Sequence, residues 1–198
     1  MSTPLIKATG LCLERGGRQL LTDFELQVLP GELVLIEGAN GSGKTTLLRS
    51  LAGLSQLAQR GTIELGGGPP LYLGHRAGIK QLLSPRENLS FFCHSHGLDC
   101  SGIDAALDRV GLYGYEDLLC QTLSAGQQRR VNLARLYLRR GGLWLLDDPF
   151  TAIDREGVIA LASTLQEQVQ VGGAVVLTSH QDLPVDIPLR RVTLGVAA

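Results

Sequence analysis

The stretch Gly38-Ala39-Asn40-Gly41-Ser42-Gly43-Lys44-Thr45 constrains this chain more than any other. It fits G-x-x-x-x-G-K-[ST], directly after the apolar run Leu33-Val34-Leu35-Ile36 and directly before a helical pattern from Lys44 to Ala52. The run is continuous rather than alternating, the mark of a strand buried on both faces of a sheet. Strand, Gly-rich loop and helix in that order turn successive backbone N–H groups toward one centre, where the helix N-terminus adds partial positive charge. Such a cradle holds polyphosphate. Lys44 then reaches the β- and γ-phosphates and Thr45 ligates Mg²⁺, with Thr46 completing the binding stretch. A flexible turn would also use these glycines, in a chain with 25 of them, so the remaining segments decide.

Leu143-Trp144-Leu145-Leu146 is a second buried-strand run, and it ends in Asp147-Asp148. At the C-terminal edge of a sheet, Asp147 suits the Mg²⁺ shell and Asp148 suits polarising an attacking water. Capping the next helix is the plainer use of the same carboxylates. Leu123-Ser124-Ala125-Gly126-Gln127 precedes an Arg-rich helix, Gln128 to Arg140, with Val131, Ala134 and Leu138 on one face. Ser124 is a natural N-cap. The same helix start, flanked by small residues, also suits an external γ-phosphate.

Residues 6–28 read as antiparallel strands joined by the turn Arg15-Gly16-Gly17-Arg18. Short strands are expected at Thr62–Leu65 and Leu71–Leu73, a helix from Arg155 to Gln168, and late strands at Ala174–Leu177 and Arg190–Leu194. Between Ser84 and Arg140 the period is helical, with breaks near Gly97, Gly111 and Thr122. The expected division is a core from 1–83 and 141–198 with a helical insert, 84–140.

Charge excludes one class of partner. Lys and Arg (18) nearly balance Asp and Glu (19), so no global field favours nucleic acid. The apolar runs are strand-length, far short of a bilayer span, and the first residues lack a leader pattern, so a cytoplasmic location is expected. The four cysteines form no C-x-x-C pair and are expected as reduced thiols. Cys93, His94, His96 and Cys100 cluster without a zinc spacing, and a helix-and-loop surface accounts for them.

Phosphate loop, L-S-x-G-Q signature, carboxylate strand and a lone His after a late strand, in this order, resemble the ATP-binding cassette ATPases over nearly the whole chain. The resemblance implies the α/β fold of the P-loop NTPases: a mixed core sheet, an antiparallel β-subdomain and an inserted α-helical subdomain. It implies that two copies dimerise head to tail, so that Ser124, Gly126 and Gln127 of one close over ATP held by the other. His180 would be the switch histidine at the γ-phosphate, and Asp154 the loop aspartate communicating across the dimer. A phosphoryl-transfer kinase would leave Leu123–Gln127 unexplained.

Three positions depart from the family pattern. Tyr72-Leu73-Gly74-His75 stands where a Gln normally contacts Mg²⁺ and the membrane subunit, placing His75 in that shell. Arg15 replaces the aromatic that stacks on adenine, a role its guanidinium plane can fill. Asp148 replaces a catalytic Glu. Ile36–Asn40, Leu71–His75, Leu123–Val131 and Asp148–Asp154 together look like the cytochrome c maturation ATPases of a haem export system. That likeness implies a peripheral subunit on the cytoplasmic face of the bacterial inner membrane, working with the B and C membrane subunits and with D. Haem is the pathway's cargo in this reading, not this chain's ligand. The ATPase subunit of another small importer or exporter, and a soluble non-transport cassette ATPase of the iron–sulfur assembly type, remain the other branches.

Overall fold

The structure is a computed structural model that describes residues 3–55, 59–180 and 185–195. Gly16 and Gly17, at φ 60° and 76°, turn the chain between β1 (Ile6–Arg15) and β2 (Arg18–Val28), and Arg15 faces Arg18 at the tip. Two left-handed residues are what a tight hairpin turn between twisted strands needs. The chain then runs through β3 (Leu33–Glu37), α1 (Lys44–Leu51), β4 (Gln59–Leu65) and β5 (Leu71–Leu73). β4 returns to pair antiparallel with the free side of β1, giving a three-stranded sheet in the order β2-β1-β4.

The helical stretch holds α2 (Pro85–His96), α3 (Ile103–Arg109), a short 3₁₀ turn at Cys120–Thr122 and α4 (Ala125–Leu138). Ser84 caps α2 reciprocally with Glu87, and Gly97 ends it at φ 64°, at the break the sequence indicates. β6 (Leu143–Asp147), α5 (Arg155–Gln170), β7 (Ala174–Thr178) and β8 (Leu189–Thr193) complete the described elements. α5 runs two residues past the expected Gln168, and β8 starts one residue before the expected Arg190.

The second sheet has the order β5-β6-β7-β3-β8, and every described pairing in it is parallel. The fold is the expected α/β one; within it the core sheet, expected as mixed, pairs in parallel throughout its described strands, and antiparallel pairing among the described strands lies in the β1 sheet. The reason is burial on both faces. Leu33, Leu35, Trp144, Leu146, Val175 and Leu177 point into one cluster with Leu89, Leu107, Val131 and Leu165 of the helices. Val34, Ile36, Leu143, Leu145, Ala174 and Val176 point into the other, against Leu47, Leu48 and Leu51 of α1 and Ile6, Leu11 and Leu13 of β1. Period-two alternation sends neighbouring residues to opposite layers, so both positions must be apolar.

Packing also sorts the thiols. Cys93 and Cys120 are buried, while Cys12 and Cys100 are half-buried. Burial above all, with Cys100 and Asp99 adding to it, pushes the Cys93 thiol up to about 11. The thiolate is the nucleophile, so alkylation of the folded chain by iodoacetamide at about pH 8 is expected to modify Cys100 and spare Cys93. Mass spectrometry of the labelled peptides checks this, with denaturant as the full-labelling control; equal rates at the two sites would contradict the packing. His94 and His96 turn their Nδ1 atoms back to the carbonyls of Ser90 (2.7 Å) and Phe92 (2.9 Å). Among the described residues no three metal-capable side chains converge.

Candidate active site

β7 lies between β3 and β6 in the parallel sheet, so the segments leaving their C-terminal ends converge on one sheet edge. From β3 the chain wraps through residues 38–42 into α1, whose N-cap Gly43 has φ 98°. A Cβ there would also stand 3.2 Å from Leu20 Cβ, so glycine is required on two grounds. Ala39, Asn40 and Gly41 are exposed at the crest, and Gly38, Ser42 and Thr46 lie deeper. Lys44 is 8% exposed. Its Nζ donates to the carbonyls of Gly38 (2.7 Å) and Ala39 (3.1 Å), bridging the loop along its concave side.

Thr45 Oγ1 donates to Asp147 Oδ1 at 3.1 Å, and Thr178 Oγ1 from the end of β7 donates to the same oxygen at 3.0 Å. Asp147 is buried, and among the described residues its Oδ2 has no partner. A buried carboxylate oxygen left open beside a threonine hydroxyl is a donor set suited to a hard divalent cation. Tyr72 on β5 feels this pocket: burial first, and the charge of Asp147 second, push its phenol up to about 12.

Asp148 takes the left-handed conformation, φ 49°. Asp tolerates this region better than most side chains, but the strain is still about 1–3 kcal/mol and persists only where the surroundings hold it. Three groups do so. Its N–H donates to Thr178 Oγ1 (2.9 Å), its Oδ2 accepts from Thr151 Oγ1 (2.6 Å), and its carbonyl accepts from Arg129 Nη2 (3.0 Å). His75 Nδ1 stands 3.9 Å from Asp148 Oδ2 with its side chain 61% exposed. The structure thus places His75 beside Asp148, the residue that follows Asp147.

Ser124 caps α4 as the sequence indicates. Its Oγ accepts from Gln127 N–H (3.2 Å), and Gln127 Oε1 accepts from Ser124 N–H (2.9 Å). Gly126 faces the carbonyl of Ala152, at 3.4 Å from where a Cβ would sit. The signature turn thus packs on the loop that ends at Asp154, which itself caps α5 by accepting from Gly157 N–H (2.8 Å). Among the described residues no hydrogen bond or ion pair joins Ser124, Gly126 or Gln127 to residues 38–45. His180 is exposed two residues beyond β7, and Arg15 is exposed at the hairpin tip.

Three residues with a hold on the site were not singled out from sequence. Thr178 and Thr151 are short hydroxyl side chains next to expected site residues. Arg129 is 4% exposed and donates to the carbonyls of Gly74 (2.8 Å), His75 (3.1 Å) and Asp148. Burial lowers the guanidinium pKa, and the charges of Asp148 and Asp147 oppose that. Nothing in an Arg-rich helix marks which arginine turns inward.

The family model described as ABC transporter matches residues 21–151. The cytochrome c biogenesis ATP-binding export protein CcmA of Pseudomonas savastanoi pv. phaseolicola is 47% identical over 192 residues, covering 91% of this chain and 90% of that protein. The protein of the same name from Hahella chejuensis is 44% identical over 207 residues, covering 99% and 98%. A putative ABC transporter ATP-binding protein from Pyrococcus furiosus superimposes with a TM-score of 0.79 at 25% identity, covering 96% of both chains. An ATP-binding subunit of an ABC transporter shares the fold at a TM-score of 0.81 and 23% identity, over 89% of this chain and 79% of that one. The site is that of an ABC-type ATPase, and the chain belongs to the ABC transporter family, in its CcmA branch.

Proposed function

We propose that this chain is the ATP-hydrolysing subunit of a membrane complex for cytochrome c biogenesis, coupling hydrolysis to haem export or to release of a haem-loaded chaperone. The observation that carries the reading is the Thr45–Asp147–Thr178 network beneath a complete phosphate loop, in a chain whose named relatives are biogenesis export proteins. The loop N–H groups and Lys44 bind the polyphosphate of ATP. Thr45 and the open Oδ2 of Asp147 would hold Mg²⁺, with His75 at the margin of that shell, and the ion would supply charge neutralisation for the transferred phosphoryl group. Asp148 orients and polarises the attacking water, and His180 contacts the γ-phosphate. Arg15 stacks on the base through its guanidinium plane.

The site is completed by a second copy. Ser124, Gly126 and Gln127 have no bond to their own phosphate loop among the described residues, and their helix N-terminus is free to meet the γ-phosphate held across a head-to-tail dimer. Residues 84–140 form the helical subdomain that carries them. No described helix is long and apolar enough to cross a membrane. In this reading the chain works peripherally, on the cytoplasmic face of the inner membrane, with the B and C membrane subunits and D, and haem is the cargo of the complex rather than a ligand of this chain.

Two measurements test this. Asp148→Asn with ATP is expected to form a dimer by size-exclusion chromatography that Ser124→Arg abolishes; a monomer in both backgrounds would defeat the sandwich. Tagged chain solubilised from membranes is expected to bring down the B and C subunits, and purely soluble recovery would favour a non-transport ATPase.

A further inference from the structure

We propose that Arg129 is a positioning residue for hydrolysis, tying the strained main chain of Asp148 and the 74–75 segment to the helix that carries the signature. The proposal rests on the reading of Asp148 as the water-polarising carboxylate. β5 and β6 are neighbouring parallel strands in register from Leu71↔Trp144 to Leu73↔Leu146, so the segments that leave them run side by side. Arg129, on the second turn of α4, reaches both. Nη1 donates to the carbonyls of Gly74 and His75, and Nη2 donates to the carbonyl of Asp148.

The side chain is almost fully buried, and among the described residues its hydrogen-bond acceptors are all main-chain carbonyls and its Nε has no partner. A buried guanidinium without a paired carboxylate is costly unless its geometry is needed. What it provides here is the third hold on Asp148, at the carbonyl, beside Thr178 at the N–H and Thr151 at the carboxylate. Releasing one hold lets a left-handed residue relax, and a displacement of about 1 Å at a reacting group lowers turnover on the order of 100-fold. Because α4 begins at Ala125, directly after Ser124, the same guanidinium makes the placement of Asp148 depend on where the signature helix sits. Hydrolysis then requires α4 in place, whichever copy supplies the γ-phosphate contact.

Lysine cannot substitute, since one ammonium lacks the planar fork that spans two segments. Arg135 supplies the comparison. It lies on the same helix and donates to the Gly78 carbonyl at 3.0 Å, with its guanidinium over the Phe92 ring, but it makes no bond to Asp148. The test is steady-state ATPase of the full chain with Arg129→Lys, Arg129→Met, Arg135→Met and Asp148→Asn, each with its thermal midpoint. Both Arg129 variants are expected to lose about 10- to 100-fold in kcat with KM for ATP changed less than about 3-fold, and Arg129→Lys to keep its folding midpoint. Arg135→Met is expected to retain kcat within about 3-fold. Arg129→Lys with parental kcat, a loss confined to KM, or an equal kcat loss in Arg135→Met would each overturn the proposal. Full activity in Asp148→Asn would instead remove the reading beneath it, independently of the Arg129 result.

Discussion

Lys44→Ala is expected to lower kcat/KM for ATP by about 100- to 1,000-fold, the effect of deleting one preorganised group that meets developing charge, or about 3–4 kcal/mol of transition-state stabilisation. The structure says why so much rests on one ammonium. Lys44 Nζ is held by the Gly38 and Ala39 carbonyls, so its charge already sits against the loop and needs little rearrangement to meet a phosphate. The partners lost on truncation belong to a loop whose crest is open to water, so folding stability is expected to change by no more than about 1 kcal/mol. Activity and stability should therefore separate. Steady-state hydrolysis and thermal melts of the same preparation check this, and an alanine variant within about 3-fold of the parent would refute a phosphate role for Lys44.

Asp148→Asn is expected to reduce hydrolysis by about 100-fold or more, since it keeps the shape and removes the base. Asp148→Glu is expected to retain or raise turnover. The extra methylene moves the carboxylate away from Thr151, which now draws Oδ2 back into its own loop at 2.6 Å. Opposing this, φ 49° favours Asp over Glu, so the Glu variant is expected to be less stable by about 1 kcal/mol. Asp148 thus fits its backbone better than its reach, and slow turnover is the expected result for the native chain. A loss of more than about 10-fold in Asp148→Glu would show that the water is placed for the shorter side chain.

His75 and Arg15 illustrate how far a motif position carries. Each stands where the resemblance implies a different residue, and the chain alone could say only which contact is in question. In the structure His75 lies beside Asp148, 3.9 Å from its carboxylate, while Arg15 lies exposed at the hairpin tip. Neither placement follows from residue type, because imidazole and guanidinium groups can each hydrogen-bond several kinds of neighbour and the fold decides which one they meet.

The elements themselves were legible because their causes are local. Continuous apolar runs specify doubly buried strands, Gly43-Lys44-Thr45 specifies a loop entering a helix, and Ser124 caps the helix that follows it. Parallel pairing throughout the core sheet was not legible, since strand order is decided by which faces the helices and the β1 sheet cover. The site's wiring was likewise a tertiary decision. Thr45 and Asp147 are separated by 102 residues, and Arg129 meets carbonyls 55, 54 and 19 residues away. Sequence determined that this chain holds a phosphate loop, a carboxylate strand and a signature helix. Only the fold determined that Arg129 of that helix reaches the Asp148 and Gly74–His75 segments, because its partners are main-chain carbonyls, which every residue carries and no side-chain pattern reveals.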